Sequence, residues 1–103
     1  MAYIIKDDLG EYVNLAQITE LTSLLVGTNI PFELTYLWKT PHIEYPSKEN
    51  CVFSVICHSG AFGADQGLLE IMYCDTQEVE GYLTAKQIYE KIKKHDSLTN
   101  KRY

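Results

Sequence analysis

No run of apolar residues in this chain approaches the ~20 needed to cross a bilayer; the longest are only a few residues. A membrane-spanning helix is therefore not expected. The opening Met1-Ala2-Tyr3-Ile4-Ile5-Lys6-Asp7-Asp8 has no basic start and no long apolar stretch, so it does not read as a signal peptide. The expected location is the cytoplasm. Cysteine is scarce as well: Cys51, Cys57 and Cys74, with no C-x-x-C, which excludes a zinc ribbon or a dithiol redox motif. On one strand, Cys51 and Cys57 would lie roughly 20 Å apart at ~3.3 Å per residue. A bridge needs Cα atoms within about 7 Å. Three reduced thiols are expected, two of them in the core.

Positive charge is missing from a long stretch. Residues 59–85 contain no Lys or Arg and five acids (Asp65, Glu70, Asp75, Glu78, Glu80). Residues 1–58 are net −4, and residues 86–103 carry six basic residues against two acids. A body this acidic argues against direct nucleic-acid binding. It suits a protein partner with a basic groove.

What is present points to one domain. The chain has 103 residues, 46% of them hydrophobic and 12% aromatic. That is enough for one modest core, burying roughly 65% of the unfolded surface, and too apolar for disorder. Two segments share a helix-start grammar: Asn14-Leu15-Ala16-Gln17 and Thr84-Ala85-Lys86-Gln87 both read as capping boxes. Each has a hydrophobic staple, Val13 with Ile18 and Leu83 with Ile88. The first helix is expected over about 15–26, with Leu15, Ile18, Leu21, Leu24 and Leu25 as its stripe. Gly27 is its expected left-handed stop, with Pro31 beyond. The second is expected over about 85–95, with Ala85, Ile88, Tyr89 and Ile92 inward. Lys91, Lys93, Lys94 and His95 would then suit its C-terminal dipole, and 96–103 would be a flexible basic tail.

Between the helices the pattern turns to strands. Phe32, Leu34, Tyr36 and Trp38 alternate onto one face. His42–Pro46 reads as a short strand at an edge or limit, because prolines bracket it. Cys51–Cys57, apolar almost throughout, reads as a central strand. Ser59–Gly67 is expected as a loop, 68–72 as a short helix, and Asp75–Gly81 as an acidic loop. A short hairpin is expected near the start, with Asp7-Asp8-Leu9-Gly10 as its turn. The expected class is α+β: an antiparallel sheet of three or more strands, packed by helices at about 15–26 and 85–95, in one domain spanning 1–95.

Candidate chemistry is thin. Cys57 and His58 are adjacent, but neighbouring strand residues point to opposite faces, so a thiolate–imidazole dyad does not form within a strand. Gly60, Gly63 and Gly67 could cradle an anion, yet Asp65 would repel it, and the spacing matches no phosphate-binding fingerprint. Phe62 is the side chain in that loop best placed to anchor a ligand. His42, His58, Asp65, Glu70 and Cys74 are metal-donor types without a known ligand spacing. No metal or cofactor is implied, and no catalytic residues are assigned. Asp75, Glu78 and Glu80 read as a solvated patch able to dock a basic partner. Tyr36, Trp38 and Tyr45 fill a core or form an interface.

The blocks Ile43–Ser47, Ser54–His58, Gly67–Met72 and Gly81–Ala85, followed by an amphipathic helix, resemble a family of small uncharacterised proteins from Gram-positive bacteria, their phages and prophages. The resemblance covers residues 42–95, about half the chain. It implies a mobile-element accessory protein in a bacterial cytoplasm and carries over no functional residue. The expected function is non-catalytic binding through an acidic and aromatic surface, with inhibition of a host or phage protein as its mode. Trp38, Tyr45, His58, Phe62, Asp65, Asp75, Glu78 and Glu80 are the candidate binding residues. The alternative is a small-ligand site or minor enzyme built on the Gly60–Gly67 loop. Self-association through an exposed sheet face is a third reading.

Overall fold

Five of the strands form one meander. The computed structural model describes residues 4–6, 12–37, 40–57 and 66–100. In chain order these are β1 (Ile4–Lys6), β2 (Tyr12–Asn14), α1 (Ala16–Gly27), β3 (Glu33–Leu37), β4 (Thr40–Tyr45), β5 (Phe53–Ile56), β6 (Leu69–Tyr73), β7 (Glu78–Leu83) and α2 (Ala85–Asn100). Strands β3 to β7 lie in sequence order in one sheet, every neighbouring pair antiparallel. This is the expected α+β architecture. β1 and β2 pair as the expected hairpin, Ile5 opposite Val13. Its turn lies outside the described residues.

Directly opposed residues share a face, so the register sorts the sheet into rows. One row runs Leu34, Ile43, Val55, Ile71, Glu80 across all five strands. Its three middle members are fully buried. They join Ile18, Leu21 and Leu25 of α1 and Ile88, Tyr89 and Ile92 of α2 in one core. Both helices therefore cover the same face, as each amphipathic stripe requires. At about 25 cal/mol per Å² of apolar area, this burial is the main stabilising term.

The two helix starts diverge. At α2 the capping box forms: the Thr84 N–H donates to Gln87 Oε1 at 2.8 Å, and the Gln87 N–H donates to Thr84 Oγ1 at 3.2 Å. At α1 it does not. Asn14 is taken up as the last residue of β2, Leu15 occupies the cap position, and no side chain caps the helix. Gln17 turns to the other helix, where its Oε1 accepts the Ala85 N–H at 2.6 Å. Three orphan donors at the start of α2 are thus met, two by its own capping box and one by α1.

The end of α1 also differs from expectation. Gly27 is its last helical residue, and the left-handed position falls to Asn29, with φ 58°. The Ile30 N–H bonds to Leu25 O and the Asn29 N–H to Val26 O, which is a Schellman closure with Ile30 and Leu25 both in the core. Asparagine tolerates this conformation better than most side chains.

Four further expectations change. Residues 69–73 form a strand rather than a short helix, because both neighbours pair with it and Leu69 and Ile71 share the covered face. The acidic loop is only a turn at 74–77; Glu78 and Glu80 belong to β7. β4 is an interior strand rather than an edge, and the prolines mark its limits: Pro41 is its second residue and Pro46 directly follows its end. Finally, α2 continues past 95 to Asn100 with Asp96 buried, so the basic cluster lies mid-helix and its last turn holds no basic residue.

The cysteines are the largest correction. Cys51 and Cys74 form a disulfide, with Cα atoms 6.0 Å apart. Cys51 lies just before β5 and Cys74 just after β6. The register sets Phe53 against Tyr73, and the Cys74 N–H bonds to Val52 O, so sheet pairing brings the two together. Spacing along one strand had addressed only the 51–57 pair.

Candidate functional site

β7 closes one side of the sheet and carries the acidic patch. Asp75, Glu78 and Glu80 are all exposed, as expected of a solvated patch. The turn beneath them is well specified. The Gln77 N–H bonds back to Tyr73 O with Gln77 at φ 62°, and Asp75 and Thr76 accept backbone N–H groups locally. Such short polar side chains stabilise turns in this way. A shallow, open depression of about 430 Å³ lies at this end, lined by Tyr73, Asp75, Thr76 and Glu78. The disulfide fastens its first turn residue to the β4–β5 connection.

Two apolar side chains of β7 are also exposed, Val79 at 47% and Tyr82 at 55%; Val79 opposes Met72, on the face away from Glu78 and Glu80. Neither was singled out by sequence. The only signal was strand alternation through 78–83, which an acidic-loop reading hides. On the covered side, the Tyr73 hydroxyl donates to Glu80 at 3.1 Å, and the Lys91 ammonium of α2 lies 3.4 Å from the same carboxylate. The hydrogen bond with Tyr73, then the charge of Tyr73 and the contact with Glu80, hold Lys91 above its ordinary value against the lowering effect of burial. Lys91 therefore offsets one of the acids, and Asp75 and Glu78 remain as the outer pair.

The other candidates are scattered. Tyr45 is not on a surface: it is 1% exposed, stacked on Phe53, and its hydroxyl meets His95 Nδ1 at 2.9 Å. Trp38, His58, Phe62 and Asp65 lie outside the described residues, as does the Gly60–Gly67 loop up to Asp65. At its end Gly67 has φ 72°, a conformation natural to glycine. Cys57 is buried, and burial pushes its thiol up to about 12. It stays protonated near neutral pH, which removes the thiolate a catalytic cysteine needs.

The helix-free face of the sheet holds a polar cluster that sequence spacing did not show. His42 Nε2 meets Ser54 Oγ at 2.5 Å, and His42 Nδ1 lies 3.7 Å from Glu44 Oε1. The residue types are those of a serine–histidine–acid triad. The setting is not: Ser54 is 4% exposed in the central strand, whose backbone pairs with β4 and β6. A reacting carbonyl needs access and free N–H donors there. The cluster instead satisfies polar atoms in a buried position, and among the described residues no buried side-chain N or O lacks a partner. Among those residues no group of three His, Cys, Asp or Glu side chains could hold a metal ion, and no helix is long and apolar enough to cross a membrane.

The chain matches no family model, no curated protein and no solved structure.

Proposed function

We propose that this is a non-catalytic binding protein that engages a basic protein partner through the β6–β7 edge. The observation that carries the reading is the placement of Val79 and Tyr82, exposed, on the same strand as Glu78 and Glu80. Apolar anchors supply contact area, while the carboxylates of the same edge strand steer and select a positively charged surface. The resemblance over residues 42–95 suggests the setting: a phage or prophage accessory protein in a bacterial cytoplasm, acting on a host or phage protein, with inhibition as the mode.

The test is affinity capture from host lysate with mass spectrometry, using the wild-type chain beside a Glu78→Lys/Glu80→Lys/Tyr82→Ala variant. A partner held by the wild type, released by moderate salt and absent with the variant supports the reading. Equal recovery by both, or no specific partner, rejects it.

A further inference from the structure

The opposite edge of the sheet has the reverse character. β3 ends the sheet, with β4 its only strand partner among the described residues. Leu34 is 44% and Tyr36 70% exposed, and both point to the helix side, since they oppose Ile43 and Pro41. Beside them lies a trench of about 240 Å³ against α1, flanked by Ile18, Thr22 and Ser23. The outer surface of α1 is almost uncharged: Glu20 is the single charged residue between Ala16 and Gly27, and Val26 is 66% exposed. An edge strand with exposed Leu34 and Tyr36 and a single charge, Glu33 at its start, is a template for another strand, because charge is what ordinarily guards such edges.

We propose that β3 pairs antiparallel with β3 of a second copy, centred on Thr35, so that two five-stranded sheets become one. The sequence of the edge argues for a copy of itself. In that register Thr35 faces Thr35, Leu34 faces Tyr36, and Glu33 faces Leu37, so no like charges oppose. The two-fold axis stands perpendicular to the sheet. It puts both Leu34–Tyr36 pairs on the helix side, between the two α1 helices, where they cover each other's trench. Charge depletion across α1 and β3 is the compositional mark of an interface centre. β7 fails the same exercise: pairing it with itself about Glu80 sets Glu80 against Glu80. The seam is independent of the acidic edge, which stays free on each copy.

Sedimentation velocity and light scattering from micromolar to millimolar protein test this. The mass is expected to rise from 11.8 kDa toward twice that value. Tyr36→Glu and Leu34→Lys should each hold it at the monomer value with an unchanged circular dichroism spectrum, whereas Glu80→Arg should leave dimerisation intact. Thr35→Cys should cross-link two copies on mild oxidation, because opposed Cα atoms lie about 4.5–5.5 Å apart, within bridging range. Glu33→Cys should not. A wild type that stays monomeric throughout overturns the proposal and leaves the edge for a different chain. So does a dimer that survives both edge variants, or equal cross-linking by the two cysteine variants.

Discussion

The row Leu34–Ile43–Val55–Ile71–Glu80 begins in a leucine on one edge strand and ends in a glutamate on the other. Its interior is uniform and its ends are opposites. The β3 edge leads to a helix with one charged residue; the β7 edge leads to a helix bearing Lys86, Glu90, Lys91, Lys93, Lys94 and Asp96. A core needs only apolar volume, so the same residue types recur along its length. Edges answer to whatever lies beyond them. A charged edge keeps other strands away, and one whose single charge is Glu33 at its start resists them far less. The contrast therefore separates two kinds of surface on one small scaffold, acidic at β7 and nearly uncharged at β3, and the two proposed contacts draw on one each.

If the two ends differ only at their surfaces, their interiors should fail alike. Leu21→Ala in α1 and Ile88→Ala in α2 remove fully buried side chains from one shared core. Each should cost about 2–5 kcal/mol in chemical denaturation, in a single transition. Two separate transitions would show that each helix stabilises its own end.

The disulfide sharpens the comparison next. It closes a loop with a sequence separation of 23 at the β7 side only, for which chain-entropy reasoning gives roughly 3 kcal/mol. Reduction should lower the unfolding free energy by up to that amount. Amide exchange should speed up at 74–78 and stay nearly unchanged at 33–37. Uniform acceleration along the sheet would mean that the bridge serves the whole fold.

The helix starts give a smaller effect. Thr84→Ala and Gln17→Ala should each cost about 1 kcal/mol, as cap losses do, and both should increase exchange at the first turn of α2. The Gln17 result is the discriminating one, because that residue lies in α1 yet holds the Ala85 N–H. An effect confined to α1 would refute the cross-cap.

The smallest effect concerns pH. The folded chain holds Lys91 above its ordinary value through Tyr73 and Glu80. A raised value means that the stabilisation is complete at neutral pH and is lost as pH climbs through the folded-state value, in the alkaline range. The Lys91 side chain is 36% exposed and its partner Glu80 46%, so solvent screens the pair and Lys91→Met should change stability at pH 7 by less than about 1 kcal/mol. It should flatten the alkaline limb of the stability profile. An unchanged limb would show that the contact is screened away.

Local rules carried much of this outline. Helical spacing in Leu21, Leu25, Ile88 and Ile92 located both helices to within a residue or two at three of four ends. The apolar run 51–57 marked a central strand, because such a sequence needs cover on one face and at least partial cover on the other; the strand itself spans Phe53–Ile56. Where expectation and structure part, a long-range partner decided. Leu68–Met72 fits two periodicities, and only pairing with β5 and β7 selects the strand. Glu78 and Glu80 look like loop residues until their neighbours across the sheet are known. Of the candidate site, the exposure of Asp75, Glu78 and Glu80 was legible from charge alone. Tyr82 was not, and Tyr45 lies in the core because its hydroxyl finds His95, fifty residues away.

Sequence by itself determined the class of the fold, the two amphipathic helices, the working capping box at Thr84 and the acidic character of one region. These depend on residues a few positions apart, whose interactions are set by helix and strand periods. Tertiary structure alone decided the rest: that Gln17 caps the opposite helix, that Asn29 rather than Gly27 turns the chain, that Cys51 meets Cys74, and that one sheet edge is acidic while the other is bare. Each of these joins or separates residues through strand register and helix packing, and no local pattern encodes which distant surface will lie beside a given side chain.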